Sequence, residues 1–339
     1  MLHTYTIKKI LPDLIVCLFV LNLAVTAGAA TLTWSGGGAD DLASTPGNWF
    51  GAVSPHHADA VIFDSTSSGN CTWDLNITLS SFNIHPGYTG TVTIDAGLII
   101  NNGVTWTGEG GDTLSSNPAN WSGGAAPQDG DHIDFDGIKD CLWDLDISPA
   151  SLTMGPGFTG SVTLITDLSI AGDLSVEGGL LNAHDNALRT NGDLLIGVDG
   201  TLYATSSLVQ VNGDWINKGA FDSGTSTVML GGSHQTVYGD NTFYNFVKTA
   251  VSAATLNVEA ARTQKILNNL TLQGTAGHLL VLRSTESETS WFIDPVSTRN
   301  ISYADIRDMK NINQIGVAAD NSHNSGNNSN VSFDINQCM

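Results

Sequence analysis

Two loops of this chain carry residue types that bind sugars. Ser44-x-x-x-Asn48-Trp49 and Ser116-x-x-x-Asn120-Trp121 each set an asparagine beside a tryptophan. An exposed indole face stacks on a pyranose ring and a neighbouring amide bonds its hydroxyls, so Asn48, Trp49, Asn120 and Trp121 are candidate glycan contacts. The competing reading is that the tryptophans cap the loop against the body of the protein while the asparagines hold the turn. Repetition at the same place favours packing, because structural requirements repeat and binding sites usually do not. A second candidate chemistry is Ca²⁺ binding by Asp64, Asp131, Asp134 and Asp136, since Ca²⁺ takes several carboxylate and carbonyl oxygens. Asp134 and Asp136 alternate onto one strand face, but Ile62 stands where Asp134 would recur, and no Asp-x-Asp-x-Asp-Gly loop exists. Solvated strand-end aspartates are the competing reading. Beyond Ca²⁺, no cofactor is expected.

Covalent chemistry has less to recommend it. A polysaccharide lyase needs a Lys or Arg to take a proton, usually beside Ca²⁺. An inverting hydrolase needs carboxylates facing one groove. The basic residues Arg189, Lys218, Arg262, Lys265 and Arg283 are scattered, and residues 166–290 show no dense carboxylate run. His56-His57 becomes Gln128-Asp129 in the matching segment, and His85 becomes Gly155, so the histidines form no ligand set. The expectation is that the protein is not an enzyme.

The elements that must position these residues are repeats. Residues 33–64 recur as 105–136 with 15 of 32 identities, and 71–94 recur as 141–164 with 12 of 24. Each unit runs from a Trp-Ser/Thr-Gly opening through the Asn-Trp loop and a proline to a strand, residues 59–64 or 131–136. A Cys-x-Trp-Asp-Leu strand and a Pro-Gly-Tyr/Phe-Thr-Gly turn follow. Alternation places Val61, Phe63, Ile133 and Phe135 on the core face. From residue 166 the period shortens: Gly172-Asp173, Gly192-Asp193 and Gly213-Asp214 are spaced by 20 and 21. Short alternating strands with glycine at the corners, in units of about 20 residues, match one coil of a parallel β-helix. Residues 250–261 admit a short helix, weakened by their Val and Thr content. Residues 318–330 read as an Asn/Ser-rich loop, and 331–335 as a final strand.

Lys+Arg 12 against Asp+Glu 33 gives a net charge of −21. That excludes nucleic acid, which needs clustered cations, and adsorption to anionic lipid. Charged residues are only 13% of the chain, so Ser, Thr, Asn and Gly must cover the surface, which suits a many-turned β protein. Lys8 and Lys9, the apolar stretch 14–25 and Ala27-Gly28-Ala29 read as a secretory signal over residues 1–29, with no later transmembrane segment. Three cysteines remain after it. Cys71 and Cys141 hold matching positions and read as buried, while Cys338 is the candidate free or intermolecular thiol.

The Trp-x-Gly…Asn-Trp…Pro…Asp…Phe pattern, with the Gly-Asp-Leu and Gly-x-Leu corners after it, resembles bacterial secreted and surface β-solenoid proteins. It is similar to autotransporter passenger regions and filamentous-haemagglutinin-like adhesins, although this chain is shorter. The resemblance implies right-handed coils and a bacterial extracellular or cell-surface location. The expected fold is all-β: a right-handed parallel β-helix with two tandem repeats of about 70 residues at its N-terminal side. The expected organisation is a signal at 1–29, repeats at 31–102 and 103–165, coils at 166–290, and C-terminal coils with a tail at 291–339. The expected function is a structural or adhesive scaffold without covalent chemistry. Its expected partners are surface glycans, surface proteins or further copies of itself. The alternatives are a glycan-binding or Ca²⁺-dependent module, and a polysaccharide lyase or hydrolase.

Overall fold

Short runs in which every second residue is apolar become strands, because alternate side chains then enter one core. Val61 and Phe63 in Ala60–Phe63, and Ile133 and Phe135 in His132–Phe135, are fully buried. The computed structural model describes residues 30–56, 59–79, 81–100 and 103–334. The segment 1–29, His57 and Cys338 lie outside them. Among the described residues parallel strands stack as β-solenoid turns, about 12 in all, and about 2% of the residues are helical. Two compact units divide between Ile100 and Asn101. The later coils from residue 166 fall in one unit with residues 103–165.

In the first unit, Thr31–Thr33, Ala60–Phe63 and Ser81–Ile84 form one parallel sheet. Cys71–Trp73 pairs with Val92–Ile94, and Ile77–Leu79 with Leu98–Ile100. Its core gathers Trp34, Trp49, Phe63, Trp73 and Cys71.

The second unit contains a 14-stranded and an 11-stranded sheet. Parallel register lines up inward residues coil over coil. One column runs Val104, Ile133, Leu152, Leu174, Leu194, Trp215, Val237, Val258. A second runs Ile170, Thr190, Val211, Leu230, Lys248, Leu272, Ile301. Each coil thus buries its apolar face against its neighbours, which is how a solenoid builds one continuous core from units that cannot fold alone.

Two local expectations are corrected. Residues 250–261 contain the strand Ala254–Val258, not a helix. Ala254, Leu256 and Val258 alternate inward, and strands pair on both sides, which overrides helix propensity. Residues 318–330 are not simply a loop, since Val317–Asp320 and His323–Asn324 are strands. Their asparagines supply side-chain bonds to neighbouring coils, such as Asn328 Nδ2 to the Ile306 carbonyl at 2.8 Å.

Candidate functional site

The Asn-Trp loops fold as short 3₁₀ turns, Pro46–Asn48 and Pro118–Asn120, each started by a proline whose missing N–H costs nothing there. Asn48 is fully buried. Its Oδ1 accepts from the Gly38 N–H at 2.7 Å, and its Nδ2 donates to the Leu42 carbonyl at 2.9 Å. Asn120 does the same with the Gly110 N–H at 2.6 Å and the Leu114 carbonyl at 3.0 Å. Trp49 and Trp121 are each 2% exposed. Their Nε1 groups donate to the Ala43 and Ser115 carbonyls at 2.8 and 2.6 Å. Trp34 and Trp49 meet edge to face at 5.1 Å, and Trp106 and Trp121 at 5.0 Å. No indole face is presented to solvent, so the glycan reading of Asn48, Trp49, Asn120 and Trp121 is corrected. These residues staple a loop to the core, as the packing alternative expected.

The four candidate calcium aspartates do different work. Asp64 takes the Thr66 N–H at 2.9 Å and its hydroxyl, and these bonds hold its carboxyl below the usual range. Asp131 Oδ2 accepts from the Gln128 N–H at 2.8 Å, closing a turn. Asp134 is half-buried, and desolvation pushes its carboxyl up against the opposing pull of His132, with Asp136 adding to the rise. Asp136 is exposed. Among the described residues no group of three His, Cys, Asp or Glu side chains is arranged to hold a metal ion.

The Gly-Asp corners are a ladder between coils. Asp173 Oδ1 accepts from the Asp193 N–H at 2.8 Å, Asp193 Oδ1 from the Asp214 N–H at 2.7 Å, and Asp214 Oδ1 from the Thr236 N–H at 2.7 Å. A Cβ at Gly213 would stand 2.3 Å from Asp193 Oδ1 and one at Gly192 2.0 Å from Asp173 Oδ1, so these two glycines make room for the carboxylate beneath, while Gly172 makes room for the Ala150 carbonyl. The sequence pattern shows this spacing, but the reason for it lies in the adjacent coil.

The ladder ends at a cleft of the second unit, about 690 Å³, lined among others by Asp214, Lys218, Tyr238, Asp240, Glu259 and Arg262. Asp214, Ile216, Tyr238 and Glu259 flank inward-facing Trp215, Val237 and Val258, so alternation sends them outward. Arg262 Nη1 lies 3.2 Å from Asp240 Oδ2, and its Nε 3.6 Å from Glu259 Oε2. Glu259 Oε2 also accepts from the Gly239 N–H at 2.7 Å. Desolvation pushes the Asp214 carboxyl up, with Asp193 adding to the rise. Among the described residues Lys218 has no carboxylate within ion-pair distance. Sequence reasoning missed this group, because its carboxylates are 26 and 19 positions apart. The signal that could have found it was outward-facing residues read at the coil period.

Searches against protein-family models, curated proteins and solved structures give no match to this chain.

Proposed function

We propose that the protein is a secreted or cell-surface structural and adhesive scaffold, related to the bacterial β-solenoid adhesins that its sequence resembles. The observation that carries this reading is how its polar side chains are spent. Asp173, Asp193 and Asp214 tie each coil to the next, and Asn48 and Asn120 are sealed inside their loops. The stacked coils of the second unit offer a repetitive, braced surface for contact with glycans, surface proteins or further copies of the chain. The test is protease shaving of intact source cells with immunodetection, together with attachment of the labelled protein to those cells. Protection from protease until lysis, with no attachment, removes the reading.

A polysaccharide-degrading reading is favoured by one observation, the meeting of Asp214, Asp240 and Glu259 in a single cleft. Against it, Arg262 holds two of the three carboxylates. Gel filtration of neutral and acidic polysaccharides after incubation with the protein decides it, since shortened polymer requires an enzyme.

A further inference from the structure

The cleft at Asp214 does not stand alone. A second hollow of about 560 Å³ is lined by Phe158, Gly160, Gly179, Asp199, Thr201 and Tyr203, among others. Both lie at one corner of the second unit. The strands Leu174–Asn182 and Leu194–Tyr203 pair with a register shift between Val176 and Gly178, and the chain bends there. In the next coil the same bend falls between Asn217 and Ala220, which pair with Ile196 and Thr201. Tyr238 then lies over Ile216.

Glycine backbone makes up much of the floor of this corner. A Cβ at Gly179 would stand 2.5 Å from the Gly160 carbonyl oxygen, one at Gly219 2.6 Å from that of Gly200, and one at Gly239 2.1 Å from that of Asn217. Main chain therefore sits on main chain from coil to coil, with the Phe158 ring beside Gly160 and Gly179 at one end. At one strand spacing per coil the floor from Gly160 to Gly239 extends roughly 20 Å. Tyr203, 42% exposed, stands at one hollow and Tyr238 at the other.

We propose that this corner is a groove for one extended, uncharged polysaccharide chain lying along the stack of coils. The inference rests on the scaffold reading above and names what the scaffold holds. A sugar residue in an extended polymer has a repeat comparable with the rise of one coil, so successive rings meet successive coils. Tyr203 and Tyr238 offer faces for rings. Asp199, Asp214 and Asp240 accept from hydroxyls, and the Lys218 ammonium donates to them. The groove carries more carboxylates than cations, and Arg262 is already paired, on a chain of net charge −21. A polyanion is repelled from such a surface.

The test is affinity electrophoresis of the full chain through gels containing β-glucan, galactomannan or neutral xylan, with polygalacturonate as the acidic control. At least one neutral polymer should retard the protein, and polygalacturonate should not. Tyr203→Ala and Tyr238→Ala should each weaken the retardation about tenfold with the thermal unfolding midpoint unchanged. Tyr203 is exposed enough that its variant keeps the fold even if the Tyr238 variant does not. No retardation by any neutral polymer, retardation by polygalacturonate alone, or full retardation of the Tyr203→Ala variant overturns the proposal. Surface display and cell attachment of the same variants are read in parallel. A failed groove with display intact removes this inference alone, and a chain held inside the cell removes the scaffold reading.

Discussion

Lys248 stands in a core column directly between Leu230 and Leu272, and none of it is exposed. Its ammonium donates to the Gly232 carbonyl and, at 2.5 Å, to Gln235 Oε1. The Gln235 amide in turn donates to the Val211 carbonyl at 3.0 Å. Burial alone lowers the lysine from 10.5 to about 8, with no charged neighbour contributing. That gap corresponds to roughly 3 kcal/mol of cost for keeping the charge in the folded state. Below pH 8 both states hold the proton and the full cost is present. Between about pH 8 and 10.5 the folded protein releases the proton while the unfolded chain keeps it. The unfolded state then binds more protons, so stability rises with pH across this window. Urea unfolding followed by far-UV circular dichroism measures the slope. Lys248→Met leaves two acceptors unpaired, about 2–6 kcal/mol together, which offsets or exceeds the roughly 3 kcal/mol recovered with the charge, so near neutral pH the variant is no more than about 1 kcal/mol more stable. What it removes is the slope. Other groups titrate in the same window, so the quantity read is wild type minus variant. Equal slopes for the two proteins, or a wild type that loses stability relative to the variant as pH rises, refute the reasoning.

Three further outcomes are expected. Gly213→Ala forces a Cβ to 2.4 Å from the Gly192 carbonyl carbon, and should cost about 1–3 kcal/mol in the same unfolding assay. Trp121→Ala should cost about 3–5 kcal/mol, and Asn120→Ala about 2–3 kcal/mol, because both are buried and bonded. Unchanged stability in either variant would contradict their role as staples. Burial pushes the Cys71 thiol up to about 12 and the Cys141 thiol higher still, so neither forms thiolate at neutral pH. Mass spectrometry after iodoacetamide should find both unmodified in the native protein and modified in guanidinium.

Much of this molecule is legible in its sequence, for a local reason. Strand alternation at Val61-x-Phe63 and Ile133-x-Phe135, and glycine at the corners, are properties of a few neighbouring residues, and they suffice for an all-β solenoid. The packing role of the tryptophans was also legible, from their repetition. The tertiary structure alone decided what stacks on what. Lys248 enters an apolar column because the coil register puts it over Leu230, although its own strand reads as polar at that position. The Gly-Asp pairs recur visibly, but Gly192 and Gly213 answer to a carboxylate one coil away. Asp214, Asp240 and Glu259 share a cleft only because their coils lie side by side. Composition and periodicity specify a coil, while a site on a solenoid is assembled across coils by register, which no single stretch of sequence contains.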